Sequence, residues 1–222
     1  PRIVSHYGDD SQAYWEKSAK MLAYTLYLLP GTPIVYYGEE IGMTNVDYEN
    51  LDDFRDVEVF TEYKNFMELG ASHETAMQAL RDRSRDNARS PMQWDASSYA
   101  GFSSVEPWMP VNKNFKTLNV ERQMHEKTSV LSIYKTLLAL RKEEALAHGN
   151  LTFHDLDHPS NFIYETTGKH HDYLVVANFK KETASFEKTL LDGYSLFLSN
   201  QEVEDEKDTE LGAYEARIYR KA

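Results

Sequence analysis

Two arginines four residues apart, Arg85 and Arg89, sit in the stretch SRDNARSPMQWD, Ser84 to Asp95, with an acid and an amide between them. On a helical turn, residues at this spacing share a face. A guanidinium fork can grip a carboxylate or neighbouring sugar hydroxyls in two-pronged fashion, and it stays charged at any working pH. The chain carries 24 Lys and Arg against 36 Asp and Glu, a formal net charge of -12. In so acidic a chain the same arginines could serve only as ion-pair partners of Asp86 or Glu58. Spacing alone leaves both readings open. Pro91, Met92 and Trp94 follow at once. An aromatic face suits the apolar face of a pyranose ring, but Met92 and Trp94 are expected to wedge their loop onto the fold, and Trp108 likewise.

Other candidates are weaker. Glu58, in DFRDVEVF, lies in an amphipathic segment where a glutamate is ordinarily solvated. Glu39 and Glu40 are adjacent, and neighbours on a strand point to opposite faces, so they cannot form a facing acid/base pair. His170 and His171 fall in a turn beside one acid, which predicts no metal site. The glycine-rich phosphate loops GxGxxG and GxxxxGK[ST] are absent. With no cysteine, disulfides and thiolate metal sites are excluded, and a reducing cytoplasm fits. The acidic balance repels phosphate backbones and argues against nucleic acid as a partner. No apolar run reaches 18 residues, so no membrane helix is expected. The opening PRIVSHYGDD has no initiator Met and no leader pattern. It reads as the middle of a longer protein, and the missing leader then says nothing of the parent.

These residues need a scaffold. Trp15, Ala19, Leu22, Leu26 and Leu29 recur at helical spacing, which predicts one helix from an Asp10 or Ser11 cap to the Pro30-Gly31 stop. PIVYYGEEIG, 33 to 42, is β-branched and aromatic without alternation and suits a buried parallel strand. Together they make half of an α/β unit. Val59, Phe60, Tyr63, Phe66 and Met67 line one side of a helix, and Ser72 caps another. Residues 91 to 118 are expected to be a long ordered loop, and such loops inside compact domains are usually functional. EKTSVLSIYKTLLALRKEEALAHG predicts a further long helix ended by Gly149. From 150 onward the pattern changes to six β-rich runs, LTFHDL, NFIYETT, DYLVVANF, TASFEK, YSLFLSN and AYEARIYRK, separated by turn chemistry. They predict an antiparallel β-sandwich, with EVEDEKD as a solvated loop.

PRIVSHYGDD, LPGTPIVYYGEEIGM, DFRDVEVF, RDNARSPMQWD, GFSSVEPWMPVNKNF and YKTLLALRK occur in that order. Together they resemble the C-terminal portion of the α-amylase superfamily, glycoside hydrolase family 13, within its oligo-1,6-glucosidase, dextran glucosidase and trehalose-6-phosphate hydrolase group. The resemblance implies an α/β plus all-β fold: the C-terminal part of a TIM barrel (helix 7, strand 8 and the helices and loop after it) over residues 1–148, and a β-sandwich over 149–222. It places Pro1-Arg2 at the end of the family's Asn-His-Asp-Gln-Pro-Arg motif. The nucleophilic Asp, the acid/base Glu and the stabilising Asp with its His would all precede Pro1. A retaining glycosidase needs two such carboxylates about 5 Å apart. This chain therefore holds no catalytic residue and is expected to be inactive alone, while its parent is an enzyme of the α-glucosidase class.

The resemblance further implies that Arg85 reaches the non-reducing glucose and that Arg89 lies nearer the next sugar. Glu58 falls beside that second subsite, the Glu39–Glu40 pair supports the loop after strand 8, and Arg2 anchors its own loop. No cofactor is implied for this stretch, calcium being possible only in the N-terminal part. The expected partners are an oligosaccharide or α-glucoside substrate and the rest of the same protein. Linkage specificity (α-1,6, α-1,4 or trehalose-6-phosphate) would be set before Pro1. Two rival readings are a non-catalytic ectodomain partnering a membrane amino-acid transporter and a carbohydrate-binding β-module. The intact RDNARSPMQWD disfavours the first, and the scarcity of aromatics in the β region disfavours the second.

Overall fold

The structure is a computed structural model that describes all residues, 1–222. Eight helices form: α1 Ile3–Tyr7, α2 Trp15–Tyr27, α3 Val57–Glu68, α4 His73–Arg83, α5 Asp86–Arg89, α6 Val120–Met124, α7 Val130–Leu140 and α8 Glu144–His148. Seven strands form: β1 Asn150–His154, β2 Asn161–Thr167, β3 Asp172–Asn178, β4 Ala184–Ser185, β5 Ser195–Ser199, β6 Glu210–Leu211 and β7 Ala216–Lys221. Packing divides the chain into two compact units, residues 1–6 with 36–131, and residues 7–35 with 132–222. The sheet thus clusters with α2 and α8 in the second unit.

In the first unit, Val46, Tyr48, Phe54, Val59, Met77, Leu80 and Met109 make the core, with the rings of Tyr48 and Phe54 stacked at 4.1 Å. Asp56 caps α3 by accepting from the Glu58 amide at 3.1 Å. Ser72 caps α4 as expected, its Oγ accepting from the Thr75 amide at 3.1 Å. Each oxygen satisfies an amide that the first helical turn leaves unpaired. Of the expected apolar side of α3, Val59, Tyr63 and Phe66 meet the core, while Phe60 and Met67 face outward.

In the second unit, β1-β2-β3-β7-β5 form one antiparallel sheet and β4-β6 a two-stranded ribbon. All six expected strands appear. β6 is an extra one, within a stretch read as a separator. Ile163, Leu174, Val176 and Tyr219 of the sheet pack on Phe186, Leu191, Tyr194 and Leu211. The α2 helix is also tied to the sheet, Tyr164 donating to the Thr25 carbonyl at 2.7 Å. Buried at nearly every position, β3 shows no alternation, as expected of a strand covered on both faces.

Three expectations fail for physical reasons. Residues 33–37 pair with no strand, and Ile34 is 82% exposed. A parallel strand takes its hydrogen bonds from neighbours, and no other stretch of this chain lies beside it as one. The α2 helix starts at Trp15 because residues 11–14 make a turn, with the Tyr14 and Trp15 amides donating to the Ser11 carbonyl at 3.1 and 2.8 Å. The long helix over 126–149 breaks between Leu140 and Glu144. Arg141 is buried at the break and donates to the carbonyls of Leu29, Gly31 and Leu146.

Candidate functional site

The acid and the amide between the two arginines point inward. Asp86 and Asn87 are fully buried, whereas the side chains of Arg85 and Arg89 are 54% and 42% exposed. One helical turn separates an inner pair from an outer pair. Asp86 Oδ2 accepts from the Arg55 and Asp56 amides at 2.7 and 2.9 Å, and its Oδ1 accepts from Arg89 Nη1 at 3.1 Å. A buried carboxylate is tolerated when its lone pairs are satisfied in this way. Asn87 Oδ1 accepts from the Val46 amide at 2.9 Å, and its Nδ2 donates to the Arg81 carbonyl at 2.7 Å. The Asp86 bonds fix α5 to the start of α3, and those of Asn87 tie it to Val46 and to the end of α4.

Asp56 is the hub. Its side chain is only 5% exposed. Arg85 grips it with two prongs, Nε to Oδ2 at 2.7 Å and Nη2 to Oδ1 at 2.9 Å. Arg89 Nη1 reaches the same Oδ2 at 3.3 Å, and Arg85 Nη2 lies 2.9 Å from Glu58 Oε2. The Arg85 fork, helped by the Glu58 amide and the Arg89 charge, holds the Asp56 carboxyl below its usual range against the opposing effect of burial. The hydrogen bond to Asp56 raises the Arg85 pKa in return. Arg85, Arg89 and Glu58 are therefore brought together. They pair chiefly through Asp56, which the sequence reading did not single out. The available signal was its position directly before the helical run VEVF, where an Asp caps a helix. Ion pairing with Glu58 or Asp86, the alternative that spacing left open, also occurs, as Arg85–Glu58 and Arg89–Asp86.

Arg2 braces this arrangement from below. It is buried, with Nε on the Asn87 carbonyl at 3.0 Å, Nη1 on the Tyr37 carbonyl at 2.5 Å and Nη2 on Ser90 Oγ at 3.0 Å. Its guanidinium lies 4.8 Å from the centre of the Tyr37 ring, and burial lowers its pKa. Both tyrosine hydroxyls at 36 and 37 donate to the Ala88 carbonyl, at 3.0 and 2.8 Å. Glu39 and Glu40 lie in one 3-10 turn, not on a strand, and Glu40 accepts from the Gly38 amide at 2.7 Å. Gly38 has φ +89, and a Cβ there would meet Met43 Sδ at 2.5 Å.

Met92 is buried, as a wedge should be, but Trp94 is half exposed and Trp108 is 69% exposed. The wedge expectation fails for both tryptophans. In the loop between them Tyr99, Ala100 and Gly101 take φ of 54, 58 and 66 in succession. No group of three or more His, Asp or Glu is placed to hold a metal. His154 and His158, four apart in the sequence, do not form one. His158 Nδ1 accepts from the Asn161 amide at 2.9 Å, and His154 Nε2 lies 3.6 Å from Glu165.

Residues 1–149 match the family model for the α-amylase catalytic domain. The chain belongs to the α-amylase family. It is 42% identical over 226 residues to the oligo-1,6-glucosidase of Halalkalibacterium halodurans, covering 99% of this chain and 40% of that protein. It is 38% identical over 229 residues to the trehalose-6-phosphate hydrolase of Bacillus subtilis, covering 99% and 40%. The solved trehalose-6-phosphate hydrolase of Bacillus licheniformis superposes with a TM-score of 0.91 at 35% identity, over 99% of this chain and 41% of that one. This α-amylase family chain thus spans about 40% of the length of the curated relatives it matches. It shares the fold of that solved hydrolase along nearly all of its own length. No helix in it is long and apolar enough to cross a membrane.

Proposed function

We propose that the full-length protein is a retaining α-glucosidase acting on short α-glucosides, of the oligo-1,6-glucosidase kind, and that this chain supplies one wall of its sugar pocket. Residues 1–148 are its share of the barrel and 149–222 its β-sandwich. The observation that carries this reading is the Asp56-centred cluster. It presents Arg85, Arg89 and Glu58 outward from a rigid turn in a chain 42% identical to an oligo-1,6-glucosidase. Arg85 Nη1 and the Nε and Nη2 of Arg89 make no bond within the protein, so they remain to donate to sugar hydroxyls. Arg85 contacts the non-reducing glucose, and Arg89 and Glu58 the sugar beyond it. The nucleophile and the acid/base belong to the preceding part of the protein, so the 222 residues alone are inactive. They require no cofactor, calcium being possible only in the preceding part, and they work in the cytoplasm.

The test is hydrolysis by the full-length protein of isomaltose, maltose, trehalose-6-phosphate and an aryl α-glucoside. Turnover of at least one is expected. Arg85→Ala should cut kcat/KM by about a hundredfold or more, the scale of a charged donor to a bound substrate in a shielded site. Absence of turnover on all four, or an Arg85→Ala variant as active as the parent, would overturn the reading.

A further inference from the structure

The α5 helix has only four residues, Asp86–Arg89, too few to hold a helix by its own bonds. The carbonyls at a helix end have no partner within it. Here side chains from two other places in the sequence supply the partners. The Asn87 carbonyl accepts from Arg2 Nε at 3.0 Å and from Ser90 Oγ at 3.0 Å. The Ala88 carbonyl accepts from the hydroxyls of both Tyr36 and Tyr37, at 3.0 and 2.8 Å, and from no backbone amide. The Ser90 carbonyl accepts from Arg2 Nη2 at 3.3 Å and lies 3.0 Å from the Tyr37 hydroxyl, whose one proton it shares with Ala88. The two tyrosine rings lie beside the Arg2 guanidinium, their centres 5.8 and 4.8 Å away. Burial is the largest influence on the Tyr37 pKa and raises it, so the phenol keeps the proton that it donates. Arg85 stands immediately before α5, and Arg89 is its last residue. The direction in which both side chains leave the fold is thus set by a short helix that two phenols and a guanidinium hold at its carbonyl end.

We propose that Tyr36 and Tyr37 are positioning residues: their hydroxyls together cap α5 through the Ala88 carbonyl and so fix the angle at which Arg85 and Arg89 meet the sugar. The inference rests on the reading of Arg85 and Arg89 as sugar-contacting groups, and it gives the tyrosines no contact with the sugar. The two hydroxyls are redundant. Loss of either leaves Ala88 one donor, and Ser90 keeps Arg2. Loss of both leaves the Ala88 carbonyl with no donor from the protein, and an unmade hydrogen bond of this kind is costly.

The test uses Tyr36→Phe, Tyr37→Phe and the double variant of the full-length protein. Each keeps the ring beside Arg2 and removes only a hydroxyl. On an aryl α-glucoside, each single variant should hold kcat/KM within about threefold of the parent, and the double should fall roughly thirtyfold, since small displacements of a substrate-holding group cost up to about a hundredfold. Carried into an Arg85→Ala/Arg89→Ala background, the same double change should cost less than about threefold. The full loss in that background, no loss in the parent, or the whole loss from one tyrosine alone overturns the proposal. Amide exchange followed by mass spectrometry needs no substrate, and it decides the matter where the arginine-less background is too slow to assay. In the double variant the Arg55 and Asp56 amides, which donate to Asp86 Oδ2, and the peptide over 84–92 should exchange about tenfold faster, with α7 unchanged. An equal increase in α7, or none at 55–56 and 84–92, overturns the proposal. If the protein hydrolyses nothing, the enzymatic reading falls, yet faster exchange confined to these two stretches still upholds the positioning role.

Discussion

Replacing Asp56 by Asn keeps the shape of the side chain and its ability to cap α3, but removes the charge that Arg85 and Arg89 share. The wild-type carboxylate accepts Arg85 Nε at 2.7 Å, Arg85 Nη2 at 2.9 Å and Arg89 Nη1 at 3.3 Å. Breaking a fully buried ion pair costs about 3–5 kcal/mol. Here only the acid is buried. Both arginines remain half in water and regain hydration, which pulls the cost toward that of exposed pairs. The expected loss for Asp56→Asn is about 2 kcal/mol, in the range of one or two hydrogen bonds to a charged group. Asp56→Ala also removes the cap and should lose about 1 kcal/mol more. The assay is urea unfolding of the full-length protein at several pH values. Because the arginines hold the folded pKa of Asp56 below its normal range, the carboxylate stabilises the fold fully above the unfolded value of about 4, and this contribution is lost as pH falls through the folded value. The gap between wild type and Asp56→Asn should be constant from pH 7 to pH 5 and shrink below about pH 4. An unchanged gap at pH 3 would show that shape, not charge, carries the effect. No gap at pH 7 would refute the hub role outright.

Two further perturbations probe the frame around the cluster. Arg2→Lys keeps the charge but cannot reach the Asn87 and Tyr37 carbonyls and Ser90 Oγ together, so it should lose about 3 kcal/mol in the same urea assay. An effect within 0.5 kcal/mol would show that the clamp is dispensable. Gly101→Ala puts a Cβ 2.4 Å from Asp95 Oδ2 at φ +66. It should cost about 2 kcal/mol, part of which the double variant Asp95→Ala/Gly101→Ala recovers by removing the clash.

The sequence revealed most where structure is local. Ser72 announces α4 because a cap and its helix are three residues apart. The six β runs were readable because each is bounded by its own turn chemistry. That Arg85 and Arg89 share a face followed from helical spacing alone. What stayed hidden depends on distant partners. The break between α7 and α8 is made by Arg141 reaching carbonyls at Leu29 and Gly31, more than a hundred residues away. Residues 33–37 have the composition of a buried strand, but composition says nothing about whether a neighbouring strand is at hand. Asp56 looked like one acid among many until Arg85, 29 residues on, was seen to close on it. The exposure of Trp108 was equally unreadable, since an aromatic in a loop can wedge or project with the same local sequence.

The charge balance of the cluster bears on what it can hold. Arg85 and Arg89 contribute two positive charges, and Asp56, Asp86 and Glu58 three negative ones, so the five groups sum to -1. These arginines are not free cations awaiting an anion. A phosphate brought against them would meet three carboxylates already claiming the same donors, and like charges at that range cost several kcal/mol. A neutral polyhydroxylated ligand meets no such barrier. In the proposed reading it would take the outward N–H donors and offer its own hydroxyls to Glu58, leaving the inner Asp56 and Asp86 bonds intact. The proposed sugar contact therefore calls for a neutral ligand rather than an anion at this turn, and a phosphorylated glucoside would fit it only with its phosphate directed away.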